Sequence, residues 1–92
     1  MGWPVNPFGL ERQLLDLAAE FPGMPLVVTE NGCAYDDPVV EGRCHDERRV
    51  DYLNRHVSAV HRAMDQGAPV VGYYVWSLMD NFEWAEGYAK RF

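Results

Sequence analysis

A chain of 92 residues is long enough for one small domain, although a domain of this size buries only about 60% of its unfolded surface. Its formal net charge is -6, which argues against a nucleic-acid partner because such proteins need clustered Lys and Arg. No apolar run approaches the roughly 20 residues of a membrane span, and the amino terminus lacks the charged and apolar regions of a secretion signal. We therefore expect a cytoplasmic protein with neither a nucleic-acid nor a membrane partner.

The first predicted element is a helix that starts at Asn6 and Pro7. Asn accepts hydrogen bonds from free amides at a helix start, and Pro at the first helical position loses none. Apolar residues then recur at helical spacing, at Leu10, Leu14, Leu17, Ala18 and Phe21. Pro22 and Gly23 end the run, so the pattern predicts a helix that packs one face against a sheet.

A short apolar strand follows, from Leu26 to Thr29, and it ends at a carboxylate, Glu30, just before Gly32. Glu is poorly suited to continue a buried strand. In parallel α/β folds, functional side chains gather at the carboxyl ends of strands. Glu30 is therefore either a catalytic candidate or a solvated residue at a strand end.

The segment from Asn31 to His45 is predicted to be a long loop beside Glu30, and long loops in compact domains tend to be functional or mobile. Cys33 and Cys44 flank it, and without a secretion signal we expect reduced thiols. The two thiols and His45 would make three metal ligands, but the sequence offers no fourth ligand at the spacing of a zinc finger. No metal site is therefore predicted.

A second helix is predicted to start at Asp46 as its cap and to end at Gly67. Its expected buried stripe is Val50, Leu53, Val57, Val60 and Met64. The other face is expected to be a solvated surface and carries Asp51, Arg55, Arg62 and Asp65. None of the histidines has a Ser or Cys partner in a triad-like context, and His56 and His61 are expected to be solvated or packed helix residues.

The last predicted element is an apolar strand from Val70 to Val75, which runs into a loop dense with aromatic and acidic residues. Strand, helix and strand in this order form a βαβ unit, whose two strands are expected to be parallel. In the loop, Asp80 and Asn81 are expected to set the backbone by side-chain hydrogen bonds, whereas Asn31 either does the same or contacts substrate.

Two motifs together resemble glycoside hydrolase family 1, the β-glucosidase family. Thr29-Glu30-Asn31-Gly32 matches the family's nucleophile motif, and the segment from Trp76 to Trp84 matches its sugar-binding motif, Trp-Ser-Leu-x-Asp-Asn-x-Glu-Trp. The resemblance extends over nearly the whole chain. Small departures are Phe8, where relatives often carry Glu, and Cys33 after the nucleophile motif.

The resemblance implies an α/β fold that is part of a (β/α)8 TIM barrel, its last βαβ portion, in the order helix-strand-helix-strand. A complete barrel takes about 250 residues, so residues 1–92 are expected to be a carboxyl-terminal fragment of a single TIM-barrel glycosidase domain. The expected partners are a β-linked glucoside or related small glycoside and the remainder of the barrel.

The family's site residues transfer onto five positions of this sequence. Glu30 corresponds to the catalytic nucleophile and Trp76 to the platform under the glycone. Glu83 corresponds to the residue that binds the 4- and 6-hydroxyls, Trp84 to the donor for the 3-hydroxyl, and Phe92 to a residue that closes the pocket near C6. The Asn-Glu-Pro motif of the acid/base Glu is absent from this sequence, and no cofactor is implied.

Glu83 favours an unphosphorylated sugar, because a carboxylate there repels a phosphate dianion; gluco and galacto preference stays open. We expect retaining hydrolysis by the whole protein and inactivity of the isolated chain. The alternative is a non-catalytic barrel fragment that acts as a sugar-binding, complementation or self-association module, since both strands would have open edges.

Overall fold

The structure is a computed structural model that describes residues 2–92. Its elements are α1 (Pro7–Glu20), β1 (Leu26–Asn31), β2 (Val39–Val40), β3 (Arg43–Cys44), α2 (Glu47–Asp65) and β4 (Val70–Val75). β1 and β4 form a parallel two-stranded sheet, as predicted. β2 and β3 form a small antiparallel hairpin inside the segment that was predicted to be only a loop.

The start of α1 has the predicted cap. The side chain of Asn6 accepts a hydrogen bond of 3.0 Å from the Gly9 amide, and Pro7 is the first helical residue. At the other end the Phe21 amide donates to the carbonyl of Leu17, and the chain then turns toward β1. α1 is therefore fixed at both ends by interactions of its own sequence.

The start of α2 differs from the prediction. Asp46 stands at the cap position, but its side chain makes no capping hydrogen bond. Its carboxylate instead accepts hydrogen bonds from Arg49 and from the Cys44 thiol. The guanidinium of Arg49 is a stronger donor for a carboxylate than a helix amide, which explains the change of partner.

The predicted buried stripe of α2 was wrong in most positions. Val50, Val57 and Met64 are about half exposed, and the buried residues are Tyr52, His56, Ala59, Val60 and Ala63. Ala59 and Ala63 are fully buried, and Ala63 lies in the same cluster as Leu14 of α1, so the buried side of α2 is rotated relative to the prediction. Arg62 stays exposed, as predicted, with half of its side chain accessible, and its guanidinium donates to buried Glu11 at 2.7 Å.

One apolar cluster joins both helices to one face of the β1–β4 sheet. Its buried members are Leu14, Val60, Ala63, Ala68 and Val70, and the half-buried Leu26, Val28 and Tyr73 pack against them. The other face of the sheet is open: Val71 is 69% exposed and Tyr74 is 63% exposed. The molecule thus has a helix side, which is packed, and an open side.

No helix in residues 2–92 has both the length and the apolar character that crossing a bilayer requires.

Candidate functional site

The carboxyl ends of β1 and β4 lie side by side at one edge of the sheet. Asn31 pairs with Val75, and the Trp76 amide donates to the Asn31 carbonyl at 2.9 Å. A Cβ atom on Gly32 would lie 1.7 Å from the Trp76 carbonyl oxygen, so no other residue fits this close approach. The parallel register therefore places the Thr29-Glu30-Asn31-Gly32 motif directly beside the start of the aromatic segment.

The side chain of Asn31 connects both strands to α2. Its Oδ1 accepts a hydrogen bond of 2.6 Å from the Tyr73 hydroxyl, and its Nδ2 donates to the Tyr52 hydroxyl at 3.2 Å. Burial raises the pKa of Tyr73 to about 12 and also raises the pKa of Tyr52. Both hydroxyls therefore keep their protons at neutral pH. Sequence reasoning left the role of Asn31 open, and the structure makes it a link between elements.

Glu83 and Trp84 lie in a tight turn after β4. The amide of Glu83 donates to the Gly87 carbonyl at 2.8 Å, and the Gly87 amide donates back to Glu83 at 2.7 Å. Gly87 has a φ of 64, which favours glycine. Trp84 is 95% exposed and Trp76 is 42% exposed, so in this chain both indoles are available at the surface.

Phe92 is tied back to the start of the same loop. Asp80 accepts one hydrogen bond from the Phe92 amide at 2.9 Å and another from the Arg91 side chain at 3.1 Å. Arg91 also pairs through its backbone with Tyr35, in the loop after β1, at 2.9 and 3.0 Å. The predicted backbone role of Asp80 is thus observed, and Asn81 likewise donates to a backbone carbonyl, that of Phe82.

Arg49 joins the loop after β1 to the loop after β4. Its side chain is only 11% exposed and donates to Asp37 at 3.1 Å and to the Arg91 carbonyl at 2.7 Å, in addition to Asp46. The guanidinium of Arg48 lies 3.9 Å above the ring of Tyr35. Sequence reasoning missed Arg49, because a basic residue in the first turn of a helix resembles any solvated one.

The remaining candidates have ordinary structural surroundings. His56 is buried, its Nδ1 lies 2.8 Å from the Tyr52 carbonyl, and its ring stacks on that tyrosine, so it is a packed helix residue as predicted. His61 is exposed beside Asp65. Cys33 and Cys44 are free thiols. Asp37, Cys44 and Asp46 form a cluster within 4.8 Å, but Arg49 already occupies its two carboxylates.

The five predicted site residues do not line an enclosed cavity within this chain. One pocket of about 490 Å³ lies between the segment before α1 and the loop after β1, near Trp3, Cys33 and Arg48. Another of about 550 Å³ lies between the start of α1 and the exposed side of α2. Glu30, Trp76, Glu83, Trp84 and Phe92 instead lie on the open side or in the loop after β4, where the described chain supplies no facing wall.

A family model and the sequences of known proteins all relate this chain to glycoside hydrolases. The family model for glycosyl hydrolase family 1 matches residues 1–92. The chain is 55% identical to a bifunctional β-D-glucosidase/β-D-fucosidase of Bifidobacterium breve, covering 100% of this chain and 21% of that protein. It is 42% identical to a 6-phospho-β-galactosidase of Streptococcus equi subsp. zooepidemicus, covering 98% of this chain and 19% of that protein.

A solved structure agrees with the fold. The family 1 β-glucosidase from Thermotoga maritima in complex with isofagomine lactam superposes with a TM-score of 0.94 at 49% identity, over 100% of this chain and 21% of that one. The chain thus spans about a fifth of the length of the relatives it matches. The predicted fold, an α/β piece of a TIM barrel without the closed barrel, is confirmed. Because the family model matches every residue and the relatives agree, this chain belongs to glycosyl hydrolase family 1.

Proposed function

We propose that the full-length protein containing this chain hydrolyses β-glycosidic bonds with retention of configuration, and that residues 1–92 are the carboxyl-terminal part of its single barrel domain. One observation carries the proposal. The parallel pairing of β1 and β4 brings Glu30 and Trp76 to the same edge of the sheet. A carboxylate beside an aromatic platform suits a sugar ring, which has apolar faces and polar edges.

In this mechanism Glu30 is the nucleophile. Its carboxylate attacks the anomeric carbon and forms a covalent glycosyl ester, while a second carboxylic acid protonates the leaving oxygen. Water activated by that second group then hydrolyses the ester, so two inversions give net retention. Retention requires the two carboxyl groups to lie about 5–5.5 Å apart. The acid/base partner is assigned to another part of the protein, because this chain lacks the Asn-Glu-Pro motif.

The glycone is held by the loop after β4. Trp76 supplies the platform, Glu83 accepts hydrogen bonds from the 4- and 6-hydroxyls, and the Trp84 indole donates to the 3-hydroxyl. Phe92 closes the pocket near C6. The bridge between Glu83 and Gly87 and the bond from Phe92 to Asp80 support these roles, since they hold the loop in a defined shape. The proposed reaction needs neither a metal nor an organic cofactor.

The proposed substrate is an unphosphorylated β-glucoside or related small glycoside. The relatives include enzymes named for glucosides and one named for a 6-phosphogalactoside, so the family alone does not choose between them. The choice rests on Glu83, because a carboxylate at the 6-position repels a phosphate dianion. Replacement of a glucoside by its 6-phosphate should therefore abolish turnover by the full-length protein.

A second candidate concerns the 92-residue chain by itself. The exposed Val71 and Tyr74 on the open side, and the two-stranded sheet, favour a module that binds the remainder of the barrel or another copy. The isolated chain is then inactive, because it lacks the acid/base partner and the facing wall of the site. An aryl β-glucoside assay of the purified chain tests this, with the Glu30→Ala chain as the contamination control. Turnover above that control would contradict the expected inactivity and would mean that copies of the chain assemble a site together.

The decisive experiment for the main proposal is covalent trapping. The full-length protein is treated with a 2-fluoro glycosyl donor, which forms the ester but releases it slowly, and is then digested for peptide mapping. We expect the label on Glu30 and a product of retained anomeric configuration. A label on any other residue, or an inverted product, would overturn the assignment.

A further inference from the structure

β1 carries one more residue than β4 in the stretch that leads to the candidate site. Val28 pairs with Tyr73 and Asn31 pairs with Val75, so three steps along β1 correspond to two along β4. Val28 packs against the core on the helix side, and strict alternation would turn Glu30 to that side as well. The extra residue gives the helix-facing position to Asn31 instead, and Glu30 is exposed.

Three hydrogen bonds hold the residue that follows this irregularity. The Asn31 side chain accepts from Tyr73 at 2.6 Å and donates to Tyr52 at 3.2 Å, and its backbone carbonyl accepts from Trp76 at 2.9 Å. Both polar atoms of the amide are in use, so a rotation of the side chain breaks two bonds at once. The donors and acceptors belong to α2, β4 and the loop after β4.

These bonds constrain Glu30 indirectly, through the backbone that Asn31 shares with it. A bulge bends its strand and redirects side chains, and the direction of the Glu30 side chain depends on the backbone that Asn31 shares with it. A reacting carboxylate must be aligned closely, since a displacement of 1 Å costs about 10²-fold in rate. Loss of either tyrosine hydroxyl leaves a half-buried amide atom without its partner and releases this part of the strand.

We propose that Asn31, Tyr52 and Tyr73 are positioning residues that hold the irregularity in β1 and thereby turn Glu30 from the helix side to the open side. This inference rests on the proposed nucleophilic role of Glu30. None of the three residues contacts the reacting atoms, and their effect on the reaction passes through the backbone of β1. Tyr73 contributes most, because its bond to Asn31 is the shorter of the two.

The test uses the full-length protein and two tyrosine variants, Tyr73→Phe and Tyr52→Phe, which keep the ring and remove only the hydroxyl. Tyr88→Phe is the matched control, since Tyr88 is 82% exposed and no bond to Asn31 reaches it. Each protein is assayed below its thermal transition for kcat, KM and the rate of inactivation by a 2-fluoro glycosyl donor. We expect Tyr73→Phe to lower kcat and the inactivation rate about 10- to 100-fold, with KM changed less than about threefold.

Tyr52→Phe should give a smaller change of the same kind, and Tyr88→Phe should behave as the unchanged protein. Combining Tyr73→Phe with Asn31→Ala should cost less than the two separate effects together, since both remove the same bond. The inference is overturned if Tyr73→Phe lowers only the melting temperature and leaves kcat and the inactivation rate unchanged. If the unchanged protein carries no label on Glu30, the proposed function itself has failed, which is a different result.

Discussion

The two faces of the β1–β4 sheet differ in how completely this chain covers them. On the helix side, Leu14 and Val70 are buried with the helices above them, and charged groups such as Glu11 have partners. On the open side, Val71 and Tyr74 are mostly exposed. The difference shows that stability and proposed chemistry are divided: one side holds the piece together, and the other presents side chains toward a part of the barrel that this chain does not include.

The sharpest test of that division is Glu30→Gln in the full-length protein. Loss of the nucleophile in a serine protease costs about 10⁶-fold in kcat, and a loss of several powers of ten is expected here. Because Glu30 lies on the open side, the melting temperature should stay close to that of the unchanged protein. Steady-state kinetics and thermal unfolding of the same sample measure both. Activity within tenfold of the unchanged protein would remove Glu30 from the mechanism.

The buried guanidinium between the loops should matter for stability. Arg49→Met leaves the carboxylate of Asp37, which is 9% exposed, without its cation, and breaking a buried ion pair costs about 3–5 kcal/mol. Arg55→Met is the matched control, because Arg55 pairs with Asp51 on the exposed surface and such pairs are worth less than about 0.5 kcal/mol. Urea unfolding measures both. Equal losses in the free energy of unfolding would show that the contacts of Arg49 stabilise the protein no more than a surface ion pair does.

A core substitution on the helix side should give the opposite result to Glu30→Gln. Leu14 is 4% exposed in the cluster that joins the helices to the sheet, and Leu14→Ala is expected to lower the free energy of unfolding by about 2–5 kcal/mol. The folded fraction should retain its kcat, because the site lies on the other side. A large fall in kcat under conditions where all of the variant is folded would mean that the helix side also affects the proposed chemistry.

A smaller effect is expected from the proposed sugar-binding residue Glu83, in the loop after β4. Glu83→Gln removes a charged acceptor whose hydrogen bonds are worth about 1.5–3 kcal/mol, so kcat/KM should fall about 10- to 150-fold. The pH profile should keep its shape, because the role proposed for Glu83 involves no proton transfer. Glu86→Gln, in the same turn, is the matched control and should leave kcat/KM unchanged. A pH profile that lost one limb in Glu83→Gln would instead make this residue an acid or base.

The smallest effect concerns pH on the helix side. The hydrogen bond from Arg62 lowers the pKa of Glu11 below its ordinary value. The stability that this pair contributes is therefore complete above the ordinary carboxyl pKa and is lost as pH falls through the lowered folded-state pKa. Glu11→Gln should accordingly be less stable than the unchanged protein at neutral pH, with the difference shrinking in acid. Urea unfolding at several pH values measures it, and a constant difference would exclude the pair as the cause.

Local sequence determined both helices, the two strands of the parallel sheet and their order, although it did not reveal the hairpin of β2 and β3. Asn6 and Pro7 begin a helix because one caps free amides and the other loses no hydrogen bond. The apolar run before Glu30 is a strand, and the parallel pairing follows from the βαβ order. The two motifs also indicated the family, because the characteristic residues of each motif lie within a few consecutive positions.

Tertiary structure alone decided which faces are buried and which side chains meet. The buried side of α2 includes Ala59 and Ala63, whereas Val57 and Met64 are about half exposed, because burial depends on where α1 and the sheet pack and hydropathy does not record that position. Sequence periodicity also could not place Asn31 between two tyrosines that are 21 and 42 residues away. Those contacts depend on one extra residue in the register of β1, and register is set by the pairing of strands rather than by either strand alone.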